Sequence, residues 1–183
     1  MIEEAMRSFR QCLCQINIYN AVARAIGVAD SKSLMDLEKS TTKQIEEPLV
    51  SSEIYENTNL SYIGGTLDRR EELTLKRLLF RATRGRAILN TFELEVNDED
   101  KVHGDEWIQN HIGYLCMFQE VGPLRKIVER VCSSFNLTGE HVVIEISPKS
   151  VSQNLKDTLG HKSQLREVLH QTKANFYEYL EHY

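Results

Sequence analysis

Residues 60–85 read LSYIGGTLDRREELTLKRLLFRATRG, and their reading decides the fold. An apolar run from Leu60 to Leu67, with Gly64 and Gly65 inside it, has the length of a β-strand. An amphipathic helix follows directly. Leu75, Leu78, Leu79 and Ala82 fall at i, i+3, i+4 and i+7, which predicts its buried face. Arg77, Arg81 and Arg84 recur on the opposite face. Gly85 stands where a helix takes a left-handed residue in order to stop. The glycine pair lacks the Gly-Lys-Ser/Thr ending of a phosphate loop. It is read instead as room for close helix–sheet packing or a bulge.

Downstream, Ala87 to Val96 predicts a second strand, with Phe92, Leu94 and Val96 alternating against Thr91, Glu93 and Glu95. Asn97 to Asn110 reads as an acidic loop. His111 to Gln119 is apolar on both faces, the mark of a strand inside a sheet. Gly122 and Pro123 open a second helix, with Leu124, Ile127, Val128, Val131 and Phe135 as its stripe. His141 to Ser147 is the fourth strand, and Pro148 ends it. Strand, helix, strand, strand, helix, strand is the βαββαβ order of a ferredoxin-like α+β lobe. It implies an antiparallel sheet with the first and third strands central.

Around that lobe, 60–149, the character changes. Residues 1–29 predict a helix whose Ile2, Met6, Phe9, Leu13 and Ile16 step by four and three, a heptad seam. Residues 30–59 are polar and acidic, a connector. From about Ser150 a last helix carries Leu165, Leu169, Thr172, Phe176, Tyr179 and Tyr183 at the same spacing. Two such seams predict an antiparallel coiled coil, with Phe9, Leu13 and Ile16 facing Leu169, Thr172 and Phe176. The seam reaches the final residue without a stop signal, which suggests a piece of a larger protein: a lobe at the tip of a cut helical hairpin.

The 183 residues carry a net charge of −5, so bulk attraction to nucleic acid is not expected. Nor does the third strand carry the basic and aromatic signature of an RNA-recognition domain. No apolar run approaches the roughly 20 residues of a membrane span, and the acidic N-terminus lacks a signal-peptide core. The four cysteines, Cys12, Cys14, Cys116 and Cys132, have no framework or metal-ligand spacing. Reduced thiols and no metal or other cofactor are expected. His103-Gly104-Asp105-Glu106 reads as solvated surface rather than a catalytic cluster, since nothing in the sequence fixes its geometry.

The segment quoted first also carries a resemblance. Gly65-Thr66-Leu67-Asp68-Arg69, then Arg77-Leu78-Leu79-Phe80-Arg81 and Arg84-Gly85, resemble a block in the a subunit of vacuolar-type proton ATPases. That block runs Gly, two apolar residues, a polar residue and Arg, then Arg-Met/Leu-Leu-Trp-Arg, two residues and Arg-Gly. Thr66 takes an apolar place, Phe80 stands for the usual Trp, and Arg86 for the usual Asn. The similarity resumes at Phe118-Gln119, runs from Leu124 to Phe135, and returns at Val168 to Thr172.

The resemblance implies the distal lobe of the subunit's cytoplasmic N-terminal half. That is a non-catalytic stator part, held against peripheral stalk and other subunits on the cytosolic face of an acidic organelle (vacuole, endosome or lysosome). Proton translocation belongs to the family's membrane half, and no catalytic residue carries over. The basic stretch Arg69, Arg70, Lys76, Arg77, Arg81, Arg84 and Arg86 is then a candidate docking face for stalk subunits or phosphoinositide headgroups. The competing reading is a solvated helix face with ordinary salt bridges to acids such as Glu71 and Glu72. A stand-alone ferredoxin-like regulatory or ligand-sensing domain is the alternative function.

Overall fold

A computed structural model describes residues 2–26, 60–97, 105–136 and 142–181. In chain order these form α1 (Ile2–Ala25), β1 (Leu60–Asp68), α2 (Glu72–Thr83), β2 (Ala87–Glu93), α3 (Asp105–Asn110), β3 (His111–Gln119), α4 (Leu124–Ser133), β4 (Val143–Ile146) and α5 (Val151–Glu181). Short 3-10 turns, Arg69–Glu71 and Pro148–Ser150, lead into α2 and α5. The proposed connector, 30–59, lies outside the described residues.

The four strands make one sheet in the order β2-β3-β1-β4, and every pairing is antiparallel. β1 and β3 are central, paired along their whole length from Leu60↔Gln119 to Asp68↔His111. The two-sided apolar pattern of β3 demands that place, because both of its faces are covered. On one face Ile63 and Leu67 of β1 and Tyr114, Cys116 and Phe118 of β3 pack with Leu75 and Leu79 of α2 and Leu124, Val128 and Cys132 of α4. On the other, Tyr62, Leu115 and Ile146 pack with Cys14, Ile18 and Val22 of α1 and Val151 and Leu155 of α5.

That second layer is a correction. A single narrow seam on α1 implied a helix that needs only a partner helix. Instead α1 is wedged between α5 and the sheet, and Phe9, Cys12, Cys14, Ile18, Tyr19 and Val22 are all buried. Gly64 makes the close approach possible: a Cβ there would stand 2.2 Å from the Ile18 Cγ2. On the opposite face a Cβ at Gly65 would meet the Tyr114 hydroxyl at 2.4 Å, so the tyrosine ring lies across its cross-strand partner. Both glycines of the quoted stretch therefore serve packing.

α1 and α5 run antiparallel. Cys12 Sγ lies 3.5 Å from His161 Nδ1, and the Tyr19 hydroxyl lies beside the Asn154 side chain. Seven residues forward on α1 thus match seven back on α5. Phe9, Leu13 and Leu169 share a cluster with Leu165. Ile16 does not join them: it sits lower, half-buried against the sheet-side cluster. Thr172 is half-buried and gives its hydroxyl to Val168 O at 2.7 Å. The Phe176 side chain lies outside the described residues.

Three further boundaries move. β2 ends at Glu93 rather than Val96. Beyond it, Asn17 of α1 takes the place of a strand neighbour: its Nδ2 donates to Glu95 O at 2.9 Å, and its Oδ1 accepts from Glu95 N at 2.8 Å. Part of the expected 97–110 loop is helical, α3, whose Trp107 and Ile108 pack inward. Pro123, expected as the first helical residue, sits instead at the N-cap of α4, one place before Leu124.

Candidate docking face

α2 is the element the sequence singles out, and its buried line is Leu75, Leu79 and Thr83. Leu78 is 42% exposed and Ala82 is exposed, which corrects the expected face. The helix is rotated because Thr83 buries without penalty: its hydroxyl donates to Leu79 O at 2.7 Å, which satisfies it inside the helix. Full burial of Leu75 and Leu79 stabilises by about 1.5–3 kcal/mol each.

The seven basic residues divide. Arg69 leaves the set, because its guanidinium forms a two-pronged pair with Glu93 at 2.7 and 2.5 Å. That contact holds the Glu93 carboxyl below its usual range and raises Arg69. Lys76 pairs with Glu72 at 2.5 Å, one helical turn away. Glu72 also accepts from the Thr91 hydroxyl at 2.8 Å, and these bonds lower its pKa. Arg86 turns back to Thr83 O at 3.2 Å. Arg70, Arg77, Arg81 and Arg84 are exposed and have no carboxylate partner among the described residues.

The sequence reading missed the apolar half of this surface. Leu73 is 62% and Phe80 67% exposed. Leu73, Arg77, Phe80 and Arg84 step by four, three and four, the spacing of a helix–helix seam, along the outer side of α2. The signal was present, since Phe80 lies more than a quarter-turn from Leu75 on a helical wheel.

The end of α2 adds a second observation. Arg84 adopts φ 54, and Gly85 follows at φ 74. Arg84 N donates back to Phe80 O, as does Gly85 N at 3.0 Å. Gly85 is suited to that region; arginine is not, and the conformation costs on the order of 1 kcal/mol. A Cβ at Gly85 would lie 3.1 Å from the Phe80 ring, so the ring rests on the turn. The strained turn thus supports the exposed Phe80 ring.

Elsewhere the site chemistry is spare. Cys12, Cys14, Cys116 and Cys132 are all free and buried. Burial pushes the Cys14 thiol up to about 12. Among the described residues no group of His, Cys, Asp and Glu has the arrangement to hold a metal ion, and no helix is long and apolar enough to cross a membrane. Beside α4, Arg125 bonds Glu120, Glu129 and Glu145 together, so three acids surround one base there.

Thr66, the odd residue of the quoted block, is also explained. It is buried beside β4, where its N–H donates to Val142 O at 2.9 Å and its hydroxyl accepts from Val142 N at 3.0 Å. A family model for the V-type ATPase 116 kDa subunit matches residues 3–183. The chain belongs to that family. No curated protein matches it closely enough to count as a relative. Membership implies other subunits of the V-type ATPase complex as its partners.

Proposed function

We propose that this chain is the distal lobe and flanking helix pair of the cytoplasmic N-terminal half of subunit a. In this reading it is a non-catalytic stator part that docks on peripheral stalk subunits through the outer side of α2. The strand order β2-β3-β1-β4 supports a ferredoxin-like lobe, and the antiparallel seven-residue register of α1 on α5 supports a coiled-coil stem. Family membership supports a place in the membrane complex of acidic organelles.

The carrying observation is the line Leu73, Arg77, Phe80 and Arg84, exposed along one side of α2 and its C-cap. Two apolar anchors framed by unneutralised guanidiniums fit an acidic amphipathic helix laid alongside. Such a contact gains both apolar burial and charge complementarity. The test is a triple Arg77→Ala, Arg81→Ala, Arg84→Ala variant, alongside Phe80→Ala, titrated with purified peripheral stalk heterodimer. Both variants are expected to fold and to bind at least roughly tenfold more weakly. Full stalk affinity in both sinks the proposal. Loss of binding to phosphoinositide vesicles alone moves the face from a protein partner to a lipid one.

A further inference from the structure

On the opposite side of the sheet from α2, a cavity of about 60 Å³ opens between α1, α3 and the lead-in to β4. It is lined by Arg7, Arg10, Gln11 and Cys14 of α1, Trp107 of α3, and Val142. The four α1 residues fall at i, i+3, i+4 and i+7, so one stripe of the helix faces the space. Among the described residues its lining holds two guanidiniums and a carboxamide, and no carboxylate. In a chain of net charge −5, two arginines converge on one cavity.

Arg10 makes two contacts beside the cavity. Its guanidinium carbon lies 5.9 Å from the Trp107 ring centroid, and its Nε reaches Met6 O at 3.4 Å. The Trp107 ring also stacks on His111, with centroids 3.7 Å apart and planes 11° from parallel. These contacts use the face and the Nε of the guanidinium. The two terminal amino groups remain as donors. Arg7 has no ion-pair partner among the described residues.

We propose that this cavity binds one phosphate group. A water occupies about 10–15 Å³ on the same measure, so the space suits a group of about five heavy atoms. Two guanidinium forks and an amide N–H₂ match the several oxygens of a phosphate dianion; a carboxylate needs only one fork. The group arrives either as free phosphate or on a phosphomonoester headgroup. The site is independent of the docking face on α2.

The chain carries its own reporter, because Trp107 is its only tryptophan. The experiment follows Trp107 fluorescence on adding sodium phosphate, against sodium chloride at matched ionic strength. A second arm adds phosphatidylcholine vesicles with and without a phosphomonoester lipid. The expected result is a saturable change with phosphate and none with chloride. Arg7→Gln with Arg10→Gln weakens it at least roughly tenfold, and Arg77→Gln leaves it intact. Circular dichroism checks folding, and the exposed Arg7→Gln alone serves if the double variant unfolds. Saturation by free phosphate assigns a soluble source; saturation only by the doped vesicles assigns a headgroup. A response that chloride reproduces, one that survives loss of both arginines, or none in either arm overturns the proposal.

Discussion

Asn17 shows how a single residue can decide where an element ends. It occupies the N–H and C=O of Glu95 from the side of α1, and its Nδ2 also reaches Leu13 O at 2.9 Å. Asn17→Ala strands those groups and is expected to cost about 1–3 kcal/mol, read as a lower denaturation midpoint with an unchanged m-value. Leu79→Ala, in the core, is expected to cost about 2–5 kcal/mol; Leu78→Ala, at the surface, less than about 0.5 kcal/mol. Equal losses from the two would contradict the rotation of α2. Arg84→Gly separates strain from binding: relief of the left-handed arginine should raise stability by up to about 1 kcal/mol while stalk affinity falls. The period of α2 was legible in its leucines, but its exact face was not. Periodicity treats Leu78 and Thr83 by polarity alone, and a threonine bonded to its own helix escapes that rule.

Among the elements, α5 hides more pattern than its sequence shows. Its half-buried and buried line runs Val151, Leu155, Thr158, Lys162, Leu165, Leu169 and Thr172, a heptad from its first residue. Only the later part reads as a seam, because Thr158 and Lys162 interrupt the apolar series. β3 was fully legible, with both ends correct, because it is apolar on both faces. The second strand was overrun, since Leu94 and Val96 keep alternating after the ladder has stopped and pack against the helix pair instead. The pairing of α1 with α5 is open to a direct check. His161→Cys, facing the native Cys12, is expected to form an intramolecular crosslink under mild oxidation. A chain that yields only intermolecular dimers would refute the register. Between α2 and β2, Glu72 and Glu93 both have lowered pKa values. Their contribution is present above the ordinary glutamate pKa of about 4.3 and is lost as pH falls through their folded values. Thermal stability is expected to fall below about pH 4.5, and less steeply in Glu93→Gln. An unchanged slope in that variant would show that the Arg69–Glu93 pair contributes nothing.

For the molecule as a whole, charge is arranged rather than spread. The α2 side of the lobe presents unpaired arginines, while the α4 side presents three glutamates around Arg125. Docking through α2 is expected to weaken as salt rises from 50 to 300 mM, because exposed charges beyond about 8 Å are already screened near 0.15 M. A salt-independent affinity would leave Leu73 and Phe80 as the whole contact. The lobe's order of elements and its family were legible in sequence; the layering was not, since nothing in the α1 seam says that a sheet lies beneath it. That layering has a mechanical meaning. In the proposed docking, force entering at α2 passes through the sheet into the parts of α1 and α5 that pack on its far face. From there it travels lengthwise down two helices that grip each other along many turns. Pulled that way, the joint must slide as a unit, so it resists. Prised sideways at its outer end, the same joint opens one turn at a time. The molecule is thus expected to be stiff along one direction and compliant across it, as a strut with a hinge would be.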